Sequence, residues 1–400
     1  MISRVLLKCL TCSKTITARI QVGHEEDQLI SSVCPHCFTP FRLKLWLDNP
    51  PHVRVEFTEN CKDTDMEGEV LNIGSGFIIS REKSRLDKYF PSFDLPRPSE
   101  EEYADQVGLP LLGENGPVML DISIALGGLP KAKQVWRITY NAYQLSRLGN
   151  FQQALTLMRQ NFEMPNEMSV RQVIMNFLAR VLAPNGQPTF TALMKVLARV
   201  REINDSEYHK LLEDFLPKWE DRMDQKMEVF DSFFRAYDEF NQAFLYVRRG
   251  ITLPDNPYAP STDFEHTRMY YGDAFEVFGS HIDLLAAFNN ILLGRSFDQL
   301  ELISLERYRG MDRGARNKTF AANPELAWLV EEYDNRLRNS SHHRWLRLST
   351  DRSELSYREG GSGQLVRLSY AEYLFRCCAM TRQLMLLALV EWLVFADWEE

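Results

Sequence analysis

At 400 residues the chain is long enough for about two or three domains of ordinary size. Apolar residues make up 44 % and charged residues 25 %, which places it among folded globular proteins and excludes a disordered chain. The net charge of −9 excludes a global basic field, so any contact with nucleic acid has to come from a local basic patch.

Residues 1–60 read as short strands, with β-type patterning at Val5 to Leu7, Thr15 to Val22, Phe41 to Leu47 and Val53 to Phe57. At their turns stand Cys9-x2-Cys12 and Cys34-x2-Cys37. Two thiolate pairs on facing turns of a small β-unit supply the tetrahedral sulfur shell of Zn²⁺, and in a reducing compartment this spacing points to metal rather than disulfides. His24, His36 and Cys61 are further ligand types nearby, but four thiolates already complete the shell. A closed site offers no open coordination position, so the zinc is structural and holds together a unit with little core of its own. Zinc ribbons bind nucleic acid or protein, and these residues do not choose between them. The remaining pair, Cys377 and Cys378, reads as core thiols.

Residues 81–117 shift to Pro, Glu, Ser and Gly, which marks a loop or linker. The organisation is then a zinc ribbon over 1–60, a connector over 61–118, a helical region over 119–200 and a larger helical domain over 201–400. Gly74-Ser75-Gly76 is an ordinary turn, and neither a phosphate-cradling G-x4-G-K-[ST] nor an H-E-x-x-H occurs. Trp136 to Leu148, Phe151 to Asn161 and Val170 to Leu182 have helical period. The first two, joined at Gly149-Asn150, look like half a tetratricopeptide repeat, but one copy buries no solenoid core and an ordinary helical hairpin accounts for them.

Met223, Met227, Phe230, Phe234, Tyr237, Phe240 and Phe244 predict one long amphipathic helix stopped by Gly250. Tyr271, Phe275, Phe278, Ile282, Leu285 and Leu292 predict a second. Asn323-Pro324 opens a third, on which Leu326, Val330, Tyr333 and Leu337 share a face. Residues 345–368, with Gly360-Gly361 inside them, read as a β-hairpin inserted among the helices. The final helix runs from about Tyr370 to Asp397 and is apolar nearly all round after Leu384, which suits a bundle centre or a subunit interface. Glu391 interrupts its apolar run short of the roughly 20 residues a membrane span needs, and no signal peptide is legible at the N-terminus. The expected location is the cytoplasm, with no membrane contact.

Near the end of the third helix, Arg338-Asn339 followed by His343 has the form R-N-x3-H. In a helical C-terminal domain this resembles the HEPN superfamily, whose signature is Arg, four to six residues, then His, often with a polar residue after the Arg. The fold class expected is mainly α, a C-terminal HEPN-like helical bundle with an inserted β-hairpin, preceded by a small β zinc ribbon. The resemblance implies metal-independent endonucleolytic cleavage of RNA by a homodimer, with Arg338, Asn339 and His343 as catalytic residues and no catalytic metal. His342 and Arg336 are register alternatives. The architecture is similar to bacterial toxins and phage-defence effectors, in which the accessory module senses a trigger or selects the RNA, and it implies a regulatory or antitoxin protein as a partner.

The residue types suit that chemistry on their own terms. Cleaving RNA without a metal needs a group to take the 2′-hydroxyl proton and a cation for the phosphorane, and His titrates near neutrality while Arg stays charged. The Asn339 amide suits orienting either group or the phosphate. At about 100° per residue, positions five apart diverge by about 140° on an unbroken helix. Either the helix ends between Arg338 and His343, for which Asn339-Ser340-Ser341 is the natural place, or the site draws on two chains. Residues 306–318 hold five basic and two acidic side chains. Arg307, Arg309, Arg313, Arg316 and Lys318 there, with Arg344, are the candidate RNA-binding cations, and Tyr308 is a candidate stacking ring. The alternative is a non-catalytic helical adaptor that binds protein or nucleic acid.

Overall fold

The computed structural model describes residues 2–23, 25, 27–47, 52–91, 94, 131–162, 168–183 and 186–396. Most of the predicted linker lies outside them. The N-terminal part is built of β1 (Ile2–Cys9), β2 (Thr15–Gln21), β3 (Asp27–Val33), β4 (Pro40–Leu47), β5 (Val53–Glu59), β6 (Cys61–Asp63), β7 (Glu69–Gly74) and β8 (Ile79–Ser80). One sheet has the order β6-β1-β2-β7 and another β3-β4-β5. Alternation puts Leu7, Ile16, Ala18 and Ile20 of the first sheet into one buried cluster with Ile30, Phe41, Leu43 and Leu45 of the second.

This β-unit does not stop at residue 60. β6 pairs antiparallel with β1, and β7 pairs in parallel with β2 over Ile16 to Gln21. A parallel partner arrives from far along the chain with no hairpin turn to announce it, so periodicity alone did not place it. Gly68 makes the approach sterically feasible, since a Cβ there would lie 2.0 Å from the Thr15 carbonyl oxygen.

The helical part comprises α1 (Ala132–Arg147), α2 (Phe151–Asn161), α3 (Val170–Leu182), α4 (Gly186–Ile203), α5 (Asp205–Phe215), α6 (Trp219–Arg235), α7 (Tyr237–Arg249), α8 (Phe264–Thr267), α9 (Tyr270–His281), α10 (Asp283–Leu292), α11 (Leu305–Arg309), α12 (Asn335–His342) and α13 (Tyr370–Ala396). β9 (Pro257–Tyr258) pairs with β8. The inserted hairpin is a three-stranded sheet of β10 (Arg347–Leu348), β11 (Glu354–Arg358) and β12 (Leu365–Ser369).

Three predicted long helices are each broken. The first divides at Ala236 (φ −97°, ψ 19°) into α6 and α7, a kink across which Phe233 stacks on Phe240 with ring centroids 4.9 Å apart. The second divides at Ile282 (φ −71°, ψ 0°) into α9 and α10. The third gives a short 3-10 turn at Ala327–Val330, after which Asp334 starts α12 by accepting from the Arg336 and Leu337 amides. In each case the apolar period runs on through the break with no Gly or Pro to mark it, so periodicity reads two helices as one.

α13 is long and apolar enough, by length and composition, to cross a membrane, yet 83 % of its 18-residue apolar window is buried inside this chain. It packs on α7, α9 and α6. Its one buried acid, Glu391, receives Lys226 at 2.8 Å and Arg222 at 2.6 Å, and Arg222 also reaches Asp283 at 2.9 Å. The apolar surface that suggested a subunit interface is therefore consumed within one chain.

The β-unit is seated on the helices by polar contacts under cover. The Thr262 amide donates to the Ser31 carbonyl at 2.7 Å, the Ser31 amide to Ser261 Oγ at 3.1 Å, and the Ala132 amide to the Glu25 carboxylate at 2.7 Å. Glu239 on α7 accepts from Ser261 and, at 3.1 Å, from the Tyr370 hydroxyl. Burial pushes both Glu25 and Glu239 up to about 7.

Candidate functional site

Cys9, Cys12, Cys34 and Cys37 converge, with all four sulfurs within 4.8 Å of one another. Cys9 and Cys37 stand 3.8 Å apart and Cys12 and Cys34 3.6 Å. Four sulfurs at zinc's bond length of about 2.3 Å in a tetrahedron lie about 3.8 Å from each other, so the donors present fit a structural metal such as zinc. The two turns are built alike. In each, the amide of the first cysteine donates to the carbonyl five residues on, the residue after the second cysteine is left-handed (Ser13 φ 60°, Phe38 φ 58°), and its amide donates back to the first cysteine. This geometry folds each loop around its own pair of sulfurs.

The Thr39 hydroxyl beside the Cys37 sulfur holds that thiol down to about 6, while burial pushes Cys34 up to about 12. A cation shared by all four sulfurs would supply the charge that a buried Cys34 thiolate lacks. Neither described alternative ligand joins the cluster. His36 Nε2 lies 3.7 Å from a Glu69 carboxylate oxygen, and the Cys61 thiol donates to the Arg42 carbonyl at 3.5 Å. His24 lies outside the described residues.

The second constellation sits where α12 lies against α9. Gly272 on α9 allows the close approach, since a Cβ there would come 3.1 Å from the His342 amide, and Gly279, two turns on, leaves room for Tyr333, which precedes α12 and whose hydroxyl would lie 3.0 Å from a Cβ there. Ser341 bridges the helices by accepting from the Gly272 amide at 3.2 Å and donating to the Arg268 carbonyl at 2.7 Å. Arg338 faces α9. Its guanidinium pairs with Glu276, whose other oxygen takes Arg313, and it donates to Asn339 Oδ1 at 2.7 Å.

The helix does not end at Asn339-Ser340-Ser341 as expected. Ser340 is accommodated inside it by donating to the Arg336 carbonyl at 2.9 Å, and α12 continues to His342. The end is a Schellman motif: the Trp345 amide donates to Ser340 at 2.8 Å, the Arg344 amide to Ser341 at 3.1 Å, and Arg344 occupies the left-handed position with φ 57°. His343, the exposed first residue beyond the helix, stacks on Trp345 with ring centroids 4.9 Å apart and planes at 29°. Arg338 and His343 thus turn to different neighbours. His342, one turn beyond Arg338, has Nδ1 4.0 Å from Asp273 of α9.

Several expected RNA-binding cations have partners inside the fold. Arg309 pairs with Asp214 and Asp283, both at 2.7 Å, and Arg313 pairs with Glu276. Arg316 is buried and donates to the carbonyls of Gly279, Arg309 and Met311. Tyr308 is fully buried, which removes it as a stacking ring. Arg307, Lys318 and Arg344 are exposed. Sequence reasoning passed over Asp273, Glu276 and Trp345. The two acids stand three apart on a helix whose apolar period was recognised, but nothing local says which helix they face.

No family model, curated protein or solved structure matches the chain. The geometry defines an N-terminal β region with a four-cysteine cluster fitting a zinc ribbon, followed by a mostly helical region with small sheets.

Proposed function

We propose that the protein is a metal-independent endoribonuclease of the HEPN type that works as a cytoplasmic homodimer, with the zinc-held β-unit serving recognition of the RNA or of a regulatory protein. The observation that supports it best is the way α12 ends. His343 is exposed at the helix end while Arg338 and Asn339, one turn earlier, are ordered by Glu276 and by each other. Because Arg338 and His343 turn to different neighbours in one chain, a cleft between two α12 ends is the arrangement that supplies both groups to one phosphate.

His343 takes the proton of the 2′-hydroxyl, and the oxygen attacks the adjacent phosphorus. Arg338 holds the charge of the phosphorane, and the 5′-oxygen leaves with a proton from His343 of the second copy. The products are a 2′,3′-cyclic phosphate and a 5′-hydroxyl. His343→Ala and Arg338→Ala should each lower cleavage of single-stranded RNA by about 10²–10⁴-fold while the protein stays folded. DNA, with no 2′-hydroxyl, should be spared, and no added divalent metal should be needed. Full activity in His343→Ala, or dependence on Mg²⁺, overturns the assignment.

One observation favours a second reading, a non-catalytic helical adaptor. The Arg338 guanidinium has a carboxylate partner within its own chain, which is how a purely structural arginine is used. Absence of cleavage by pure, zinc-replete dimer would favour that reading.

A further inference from the structure

The segment after His343 has an internal logic that the motif does not explain. The position after a helix cap favours glycine, because a Cβ there is strained in the left-handed region, yet Arg344 occupies it at φ 57°. The turn it makes brings Trp345 back onto the His343 ring. His343 also meets His342 edge-on, with centroids 5.7 Å apart. Among the described residues its ring nitrogens meet no hydrogen-bond partner, so ring contacts alone orient it and leave both nitrogens open.

Trp345 is in turn held from outside the motif. A Cβ at Gly361 would lie 3.0 Å from indole Cζ2 and 3.1 Å from Cη2, so the tip of the β11–β12 hairpin lies directly against the six-membered ring. Gly360 (φ 57°) and Gly361 (φ 84°) both need the left-handed backbone that turns the tip inward. Beside them Glu359 pairs with Arg336 at 2.9 Å. The tip therefore grips α12 at both ends, through Arg336 in its first turn and through Trp345 just past its last.

We propose that Trp345 is the positioning residue of His343 and that the inserted hairpin, through Gly361, sets Trp345. This rests on the ribonuclease reading, in which a general base works only if its ring is held at the attacking hydroxyl, and a displacement of about 1 Å costs up to roughly 10²-fold. An aromatic ring at position 345 preserves the stack. Alanine does not.

The test uses full-length, zinc-loaded protein with isotope-labelled histidine, His343→Ala assigning the His343 signals. Trp345→Ala should remove the indole ring-current shift from the His343 ring protons and lower kcat by about 10–10²-fold with KM unchanged. Trp345→Phe should restore most of both. Gly361→Ala, which pushes a methyl group at the indole, should move the same resonances and lower kcat by less. Circular dichroism confirms that each variant is folded. Unchanged His343 resonances in Trp345→Ala overturn the stack. Shifted resonances with unchanged kcat overturn the positioning role and leave the ribonuclease reading standing. Wild-type protein that does not cleave RNA but shows the ring-current shift refutes the ribonuclease reading, and the catalytic meaning of the stack falls with it.

Discussion

The two constellations behave in opposite ways. Cys9 ends β1 of one sheet and Cys37 lies in the β3–β4 turn of another, yet their sulfurs and those of Cys12 and Cys34 fall within 4.8 Å. Arg338 and His343 are near neighbours in sequence, yet one faces Glu276 on α9 and the other stacks on Trp345. Turns between paired strands bring distant residues together, because each hairpin delivers its turn to the same end of a sheet. A helix separates near neighbours by its fixed angle per residue. The first pattern gathers its side chains at one point within one chain, and the second spreads them over different neighbours.

Removing the metal should separate the two regions most sharply. One zinc per chain is expected by metal analysis, and Cys9→Ser/Cys34→Ser protein should lose it. Structural zinc contributes apparent free energies of about 10–16 kcal/mol, so amide protection should collapse across β1 to β7 while α6 to α13 stay protected. The converse break is Glu391→Ala. It leaves Arg222 and Lys226 buried without their shared carboxylate and should cost about 3–5 kcal/mol in denaturant unfolding of the helical region, with zinc content unchanged.

The seam between the regions should respond to pH. Glu25 and Glu239 have folded values pushed up from 4.5 to about 7, so between those limits the seated state binds more protons than the unfolded chain. Their contribution is fully present below about pH 4.5 and is lost as pH rises through about 7, with a slope near 1 kcal/mol per pH unit for each group. Thermal unfolding of Glu25→Gln/Glu239→Gln protein should lose this part of the slope. The smallest effect is expected at the motif helix. Arg344→Gly relieves the left-handed backbone and should raise the denaturant midpoint by an amount equivalent to about 1 kcal/mol.

How much was legible follows the same division. The four-cysteine cluster was legible because a paired C-x2-C states its own geometry. α2 and α3 were legible to the residue because each carries one apolar face and the Gly149-Asn150 turn opens α2. β7 was not, because its partner β2 is a parallel strand with no turn linking them. The breaks at Ala236 and Ile282 were invisible because apolar spacing continues across both. At the motif, the need for a helix end was legible from angular arithmetic, but its place was not. Ser340 and Ser341 look like breakers, and only their hydrogen bonds to the Arg336 and Arg268 carbonyls show why the helix carries through them. The Glu276 contact to Arg338 depends on which helix lies opposite, and Gly272 only makes room for it.

The place of α13 in the chain has a consequence for biosynthesis. It follows in sequence the helices it packs on, and it carries the carboxylate that Arg222 and Lys226 share. During translation the β-unit is able to close as soon as its strands and the metal are at hand, whereas in the helical core Arg222 meets Asp283 early but Lys226 waits for its carboxylate until α13 has emerged. The exposed end of α12 would then settle late, on a molecule whose β-unit was already folded.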